Sequence, residues 1–122
     1  MTPASGKQKG RKFQQKCRDR IIKAFKPYGV LPDDVKSTAM GQGGEDIQLS
    51  PFAREYFPYS VECKKHKGFA IYNPYEQCKT NAPKGTTPVV FIEADRKQPL
   101  AVLGMEEFFQ LLEKIEELRG DV

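Results

Sequence analysis

Four apolar residues in a row, Val89-Val90-Phe91-Ile92, stand between Pro88 and Glu93. Successive side chains of an extended strand project to opposite faces, so an unbroken apolar run asks for cover on both faces at once. It reads as a central strand and predicts a sheet with helices packed on it.

The rest of the chain offers such helices. Phe13, Cys17, Ile21, Ala24 and Phe25 recur at helical spacing, with basic residues on the other face, until Pro27 and Gly29 end the segment. Before it, residues 1–10 are rich in Gly, Lys, Ser and Pro and read as a flexible basic arm, leaving 11–122 as a single domain. Leu31 to Val35 reads as a turn, with Pro32 opening a short helical piece. The glycine-rich loop Met40-Gly41-Gln42-Gly43-Gly44 leads into a strand over Ile47 to Leu49, and Ser50 caps a helical turn that Pro58 stops. Tyr59 to Lys64 is a second strand, followed by the basic turn Lys65-His66-Lys67-Gly68. Asn73-Pro74 starts a helix running to about Ala82. After the apolar run, Asp95 to Gln98 is a hairpin-type connection, Leu100 to Leu103 a strand, and Met105, Phe108, Phe109, Leu112, Ile115 and Leu118 form the stripe of a last helix. The predicted order is α-β-β-α-β-β-α: an α/β fold with a central mixed β-sheet flanked by helices.

Charge narrows the class of partner. Residues 1–27 hold nine Lys or Arg against Asp19, and residues 105–122 hold six acids against Lys114 and Arg119. A basic end of this density is the electrostatic footprint of a polyanion partner, most often nucleic acid. No apolar run is long enough to span a bilayer and the N-terminus has no secretory h-region, so the expectation is a cytoplasmic protein with no membrane contact. Three cysteines without a secretion signal read as reduced thiols, Cys17 and Cys63 facing inward. Cys63-x-x-His66 with Cys78 lacks a clear fourth ligand for zinc.

The chemistry gathers elsewhere. Glu62 and Lys64 share one face of an extended segment, and Asp46 opens the preceding strand, so two carboxylates and an ammonium converge at one end of a sheet if the two runs pair. Such a set suits a hard divalent cation and a phosphate. A surface ion-pair cluster is the plain structural reading of the same residues. Asp46 followed by Glu62-x-Lys64 resembles the PD-(D/E)xK motif of the restriction-endonuclease-like nucleases, and the surrounding words, Met40 to Ile47, Leu49-Ser50-Pro51 and Phe57 to Lys64, are similar to small phage-encoded nucleases of the Holliday-junction-resolvase-like branch. The resemblance covers about residues 11–112.

It implies that Asp46, Glu62 and the backbone carbonyl of Cys63 hold a catalytic Mg²⁺ or Mn²⁺, with no further small-molecule cofactor. It also implies that Lys64 orients or helps deprotonate the attacking water and that Gln77 supports the site. Glu45, next to Asp46, points the opposite way in extended backbone. Many relatives add a Glu from the first helix, where this chain has Gln14, Gln15 and Asp19. The expected nucleic-acid contacts are Lys9, Arg11, Lys12 and Lys16 on the first helix and its arm, Ser37, Thr38, Gly43 and Gly44 near the scissile phosphate, and Lys65, His66 and Lys67 on the basic turn. The implied activity is Mg²⁺-dependent DNA endonuclease action on branched or structured duplexes by a homodimer, with RNA as a weaker substrate choice. The alternative is a non-catalytic nucleic-acid-binding protein on the same fold. A pure binder has no need of two carboxylates where phosphates must approach.

Overall fold

The computed structural model describes residues 3–39 and 41–120, with the side chains of 3–5 outside the description, as are Met40 of the glycine-rich loop and the first two residues of the expected arm. It is a mixed α/β structure with four helices and two two-stranded antiparallel sheets among the described residues. The chain divides into two compact units, residues 1–65 and 66–122.

The first unit begins with helix α1, Pro3–Phe25. Residues 3–10, expected as a flexible arm, are its first turns, because Lys and Gln are good helix formers and extend the helix despite Gly6 and Gly10. The helix ends where expected. Pro27 enters a 3₁₀ turn over Lys26–Tyr28, and Gly29 takes the left-handed conformation at φ 100° that turns the chain back. After a second 3₁₀ turn, Pro32–Asp34, come strands β1, Val35–Ser37, and β2, Ile47–Leu49, paired antiparallel with Val35 opposite Leu49 and Ser37 opposite Ile47. At three residues β1 is too short to show alternation, and the sequence reading placed its first residue in a turn. Helix α2, Pro51–Tyr56, opens as predicted: the Ser50 hydroxyl accepts from the Ala53 N–H at 3.1 Å and Pro51 occupies the first turn.

The core of this unit is built on apolar side chains. Ile21, Phe25, Val30, Val35 and Ile47 are fully buried, and Cys17, Ala24, Ala53 and Phe57 are nearly so. The predicted stripe of α1 therefore packs on the β1–β2 ribbon. Arg18 ties the helix to the loop and strand, its Nε donating to Val35 O at 2.8 Å and an Nη to Pro32 O at 2.9 Å.

The second unit holds α3, Tyr72–Asn81, β3, Val89–Ile92, β4, Leu100–Leu103, and α4, Met105–Gly120. Strands β3 and β4 form a hairpin with Val89 opposite Leu103 and Ile92 opposite Leu100, turned through Ala94 to Lys97 as expected. The apolar run of β3 is not a doubly covered central strand. Val90 and Ile92 are half-buried, whereas Val89 and Phe91 are exposed, Phe91 at 83%. Two strands with α3 packed beside β3 give the hairpin one covered face, and the continuity of the run does not specify a second layer. The central mixed sheet of the sequence reading is thus replaced by two separate ribbons. On α4 the buried face is Phe109, Leu112 and Glu116, while Ile115 and Leu118 of the predicted stripe are exposed. Arg119 pairs with the Glu116 carboxylate at 2.9 Å and neutralises it. No described helix is long and apolar enough to cross a membrane.

Candidate active site

The expected second strand, Tyr59 to Lys64, carries no ladder hydrogen bonding, and the reason lies in Asp46. The Asp46 N–H donates to Val61 O at 3.2 Å, as a strand neighbour would, but the Cys63 N–H donates to the Asp46 carboxylate at 2.6 Å. A side chain has taken the donor that a backbone carbonyl would take in a sheet. The effect is local and specific: Val61 and Cys63 both bond to Asp46, so the backbone at the residue between them, Glu62, passes beside it. Arg54 fixes the start of the segment, donating to Tyr59 O at 2.6 Å, and its other Nη atom pairs with the Glu45 carboxylate at 3.1 Å. Glu45, expected to point away from Asp46, is engaged there.

Glu62 and Lys64 share one side, as alternation predicts, with Nζ 3.6 Å from the carboxylate. Both side chains are exposed, at 74% and 63%. An ion pair this exposed is weak, on the order of 0–1 kcal/mol, so either partner is free to exchange the other for a ligand. The Asp46 carboxylate retains acceptor capacity after the one hydrogen bond from Cys63.

Helix α1 reaches this site through Gln14. Gln14 is buried at 4%, and the two hydrogens of its side-chain nitrogen are shared among Thr38 O at 2.7 Å, Asp46 O at 2.9 Å and the Ser37 hydroxyl at 2.8 Å. Two carbonyls converge on this nitrogen and dictate the amide's orientation. Gln14 therefore clamps the open end of the β1–β2 ribbon at the residue bearing the carboxylate. The signal was in the spacing: position 14 lies three before Cys17 and seven before Ile21, on the apolar stripe.

The other expected residues fall into three groups. Lys9, Arg11, Lys12 and Lys16 are exposed along α1, as are Gly43 and Gly44 on their loop and Lys65 at the end of the first unit. Ser37 and Thr38 are positioned differently from the expected phosphate contacts. Thr38 is buried, its hydroxyl donating to Glu45 O at 2.6 Å and its N–H to Asp46 O at 2.9 Å, so it shapes the loop before Asp46. Ser37 meets Gln14 and lines a polar depression of about 470 Å³ with Gln15, Arg18, Asp19 and Lys36. His66, Lys67 and Gln77 belong to the second unit and are exposed there, Gln77 on α3.

The thiols stay apart from this chemistry. Burial, helped by the neighbouring Cys17 thiol and the Asp46 carboxylate, pushes the Cys63 thiol up to about 12. Burial also raises Cys17, against the opposing influence of its hydrogen bond with Cys63 and of Lys16. Protonated thiols facing each other are poor metal ligands. Cys78 instead donates to Val89 O at 3.7 Å, and no group of three or more His, Cys, Asp or Glu placed to hold a metal occurs among the described residues. Asp46 and Glu62 carry carboxylate oxygens, the donor type that a hard cation takes while keeping several of its waters. Comparison with family models, with curated proteins and with solved structures finds no match to this chain.

Proposed function

We propose that this protein is a divalent-metal-dependent endonuclease of the restriction-endonuclease-like kind, hydrolysing DNA phosphodiester bonds in branched or otherwise structured duplexes. The observation that carries the reading is the bracketing of Glu62: Val61 and Cys63 on either side of it bond to Asp46, and Lys64 lies 3.6 Å from its carboxylate. Two carboxylates and a lysine are the minimum set for the reaction, and Asp46, Glu62 and Lys64 would supply it. Asp46, Glu62 and the carbonyl of Cys63 are the residues that would hold Mg²⁺ or Mn²⁺. The ion, when bound, supplies charge neutralisation and lowers the pKa of a water.

The chain's own residues supply the rest. Lys64, released from Glu62, offsets charge on the scissile phosphate and orients the attacking water. Gln14 holds the Asp46 backbone in place, and Gln77 is a supporting residue by resemblance. Lys9, Arg11, Lys12 and Lys16 lie along one helix and bind phosphates without reading sequence. Cutting two strands calls for two sites, so the active species is a C2 homodimer.

A second reading keeps the basic surface without the chemistry, as a nucleic-acid-binding protein. The exposed Glu62–Lys64 ion pair favours it, because the pair satisfies both charges without a metal. Incubating the protein with Mg²⁺ or Mn²⁺ and supercoiled, linear and four-way-junction DNA separates the two. The nuclease reading expects cleavage that needs metal and is strongest on the junction. Binding with no cleavage on any substrate leaves the second reading standing.

A further inference from the structure

The second unit has a feature the cleavage chemistry does not use. Tyr72 N–H donates to Phe69 O at 3.3 Å, and this tight turn sets the two rings side by side, 6.3 Å between centroids. His66 continues the row, 4.9 Å from Phe69. The rings are open to solvent, Phe69 at 42% and Tyr72 at 58%. Behind them lies a cavity of about 330 Å³, walled by Phe69, Tyr72 and Tyr75 on one side and Val102, Leu103 and Met105 on the other. Its size is that of the smaller ligand pockets.

We propose that this aromatic row and cavity take an unpaired nucleobase, making the second unit a reader of single-stranded or extruded nucleotides. The proposal rests on nucleic acid being the partner. Charge selects the occupant. The row starts at His66 and is followed in sequence by Lys67, both exposed, and that cation attracts the phosphate beside a stacked base. The cavity itself is walled by aromatic and aliphatic side chains with no cation among them, which leaves it unsuited to a phosphate, and Tyr72 and Tyr75 are the lining residues that bring a hydroxyl. A tyrosine hydroxyl serves either a donor or an acceptor on a base edge. Bases stack on exposed aromatic rings whatever their sequence, so the site recognises strand state, and that is the property separating a junction or loop from plain duplex.

The test uses two oligonucleotides of equal length carrying 2-aminopurine at one position, unpaired in a loop in the first and paired in duplex in the second. They are titrated with the full-length protein in EDTA so that cleavage plays no part. The expected result is quenching of 2-aminopurine fluorescence in the loop probe, and a loss of roughly 5- to 150-fold in its affinity in Tyr72→Ala and Phe69→Ala, with little change for the duplex probe. Tyr72→Phe keeps the ring and should retain the quenching, which separates stacking from a general disturbance of the unit. Unchanged loop binding in both alanine variants, or equal losses on loop and duplex, would overturn the proposal while leaving the nuclease reading intact. Failure of the wild-type protein to bind either probe would overturn both.

Discussion

The two units of this chain are of similar length and are held together in different ways. In the first, Ile21, Phe25, Val30, Val35 and Ile47 are sealed from solvent. In the second, Phe109 and Leu112 are the buried apolar side chains among the described residues, and Phe69, Tyr72, Val89, Phe91, Leu100, Leu111, Ile115 and Leu118 are exposed. Large apolar side chains left in water contribute little to folding, so the first unit carries most of the stability and the second opens more easily. The contrast matches the division of labour proposed for them. A carboxylate cluster must be held rigidly to keep its geometry, whereas exposed rings on a looser support suit a surface that binds.

This contrast is open to direct attack. The largest effect should come from Phe25→Ala, which empties a fully buried site and should cost about 3–5 kcal/mol in urea unfolding followed by circular dichroism. The matched change in the second unit, Phe91→Ser at a position 83% exposed, should stay within about 0.5 kcal/mol. Comparable losses would mean that the two units share one core. Next is Gln14→Ala. It strips the carbonyls of Thr38 and Asp46 of a buried donor and should cost about 1–3 kcal/mol, with cleavage falling further than stability explains. Full activity in a folded Gln14→Ala protein would remove the clamp from the account.

The smallest effect concerns pH and belongs to the first unit alone. In the folded protein Cys63 keeps its proton up to about 12, against an ordinary value of 9.0. Between those values the folded state binds more protons than the unfolded state. The stabilisation is therefore complete below pH 9.0 and is lost as pH rises toward 12. Cys63 is partly exposed, so solvent screening keeps the loss modest. Thermal melts from pH 8 to 11 should show a declining limb that Cys63→Ala flattens, leaving the part due to Cys17. An identical limb in wild type and variant would show that these thiols do not govern alkaline stability.

What the sequence reveals, and what it hides, follows from how local each signal is. Ser50 as a helix cap and the end of α1 at Phe25 are set by neighbours within four residues, and both are readable. Glu62 and Lys64 fall on one side because any extended segment alternates. The approach of Asp46 to that segment was also readable, but not its form, since only the fold reveals that a carboxylate takes the Cys63 N–H in place of a carbonyl. The β3 run misled for a related reason: apolarity states that cover is wanted, not that a second layer exists. Gln14 is obscured by its residue type, since a glutamine on an apolar stripe reads as a polar-face residue although its position places it inside.

The central claim is that Asp46, Glu62 and Lys64 form a metal-dependent hydrolytic site, and single-turnover cleavage of a four-way junction by Glu62→Gln tests it most directly. Glu62 is 74% exposed in its side chain and its exchange for the isosteric amide leaves the fold alone. The account predicts that cleavage in saturating Mg²⁺ falls by about a hundredfold or more while junction binding in EDTA is unchanged, the scale seen when one electrostatic group is taken from a transition state. Cleavage at the wild-type rate by Glu62→Gln would contradict it.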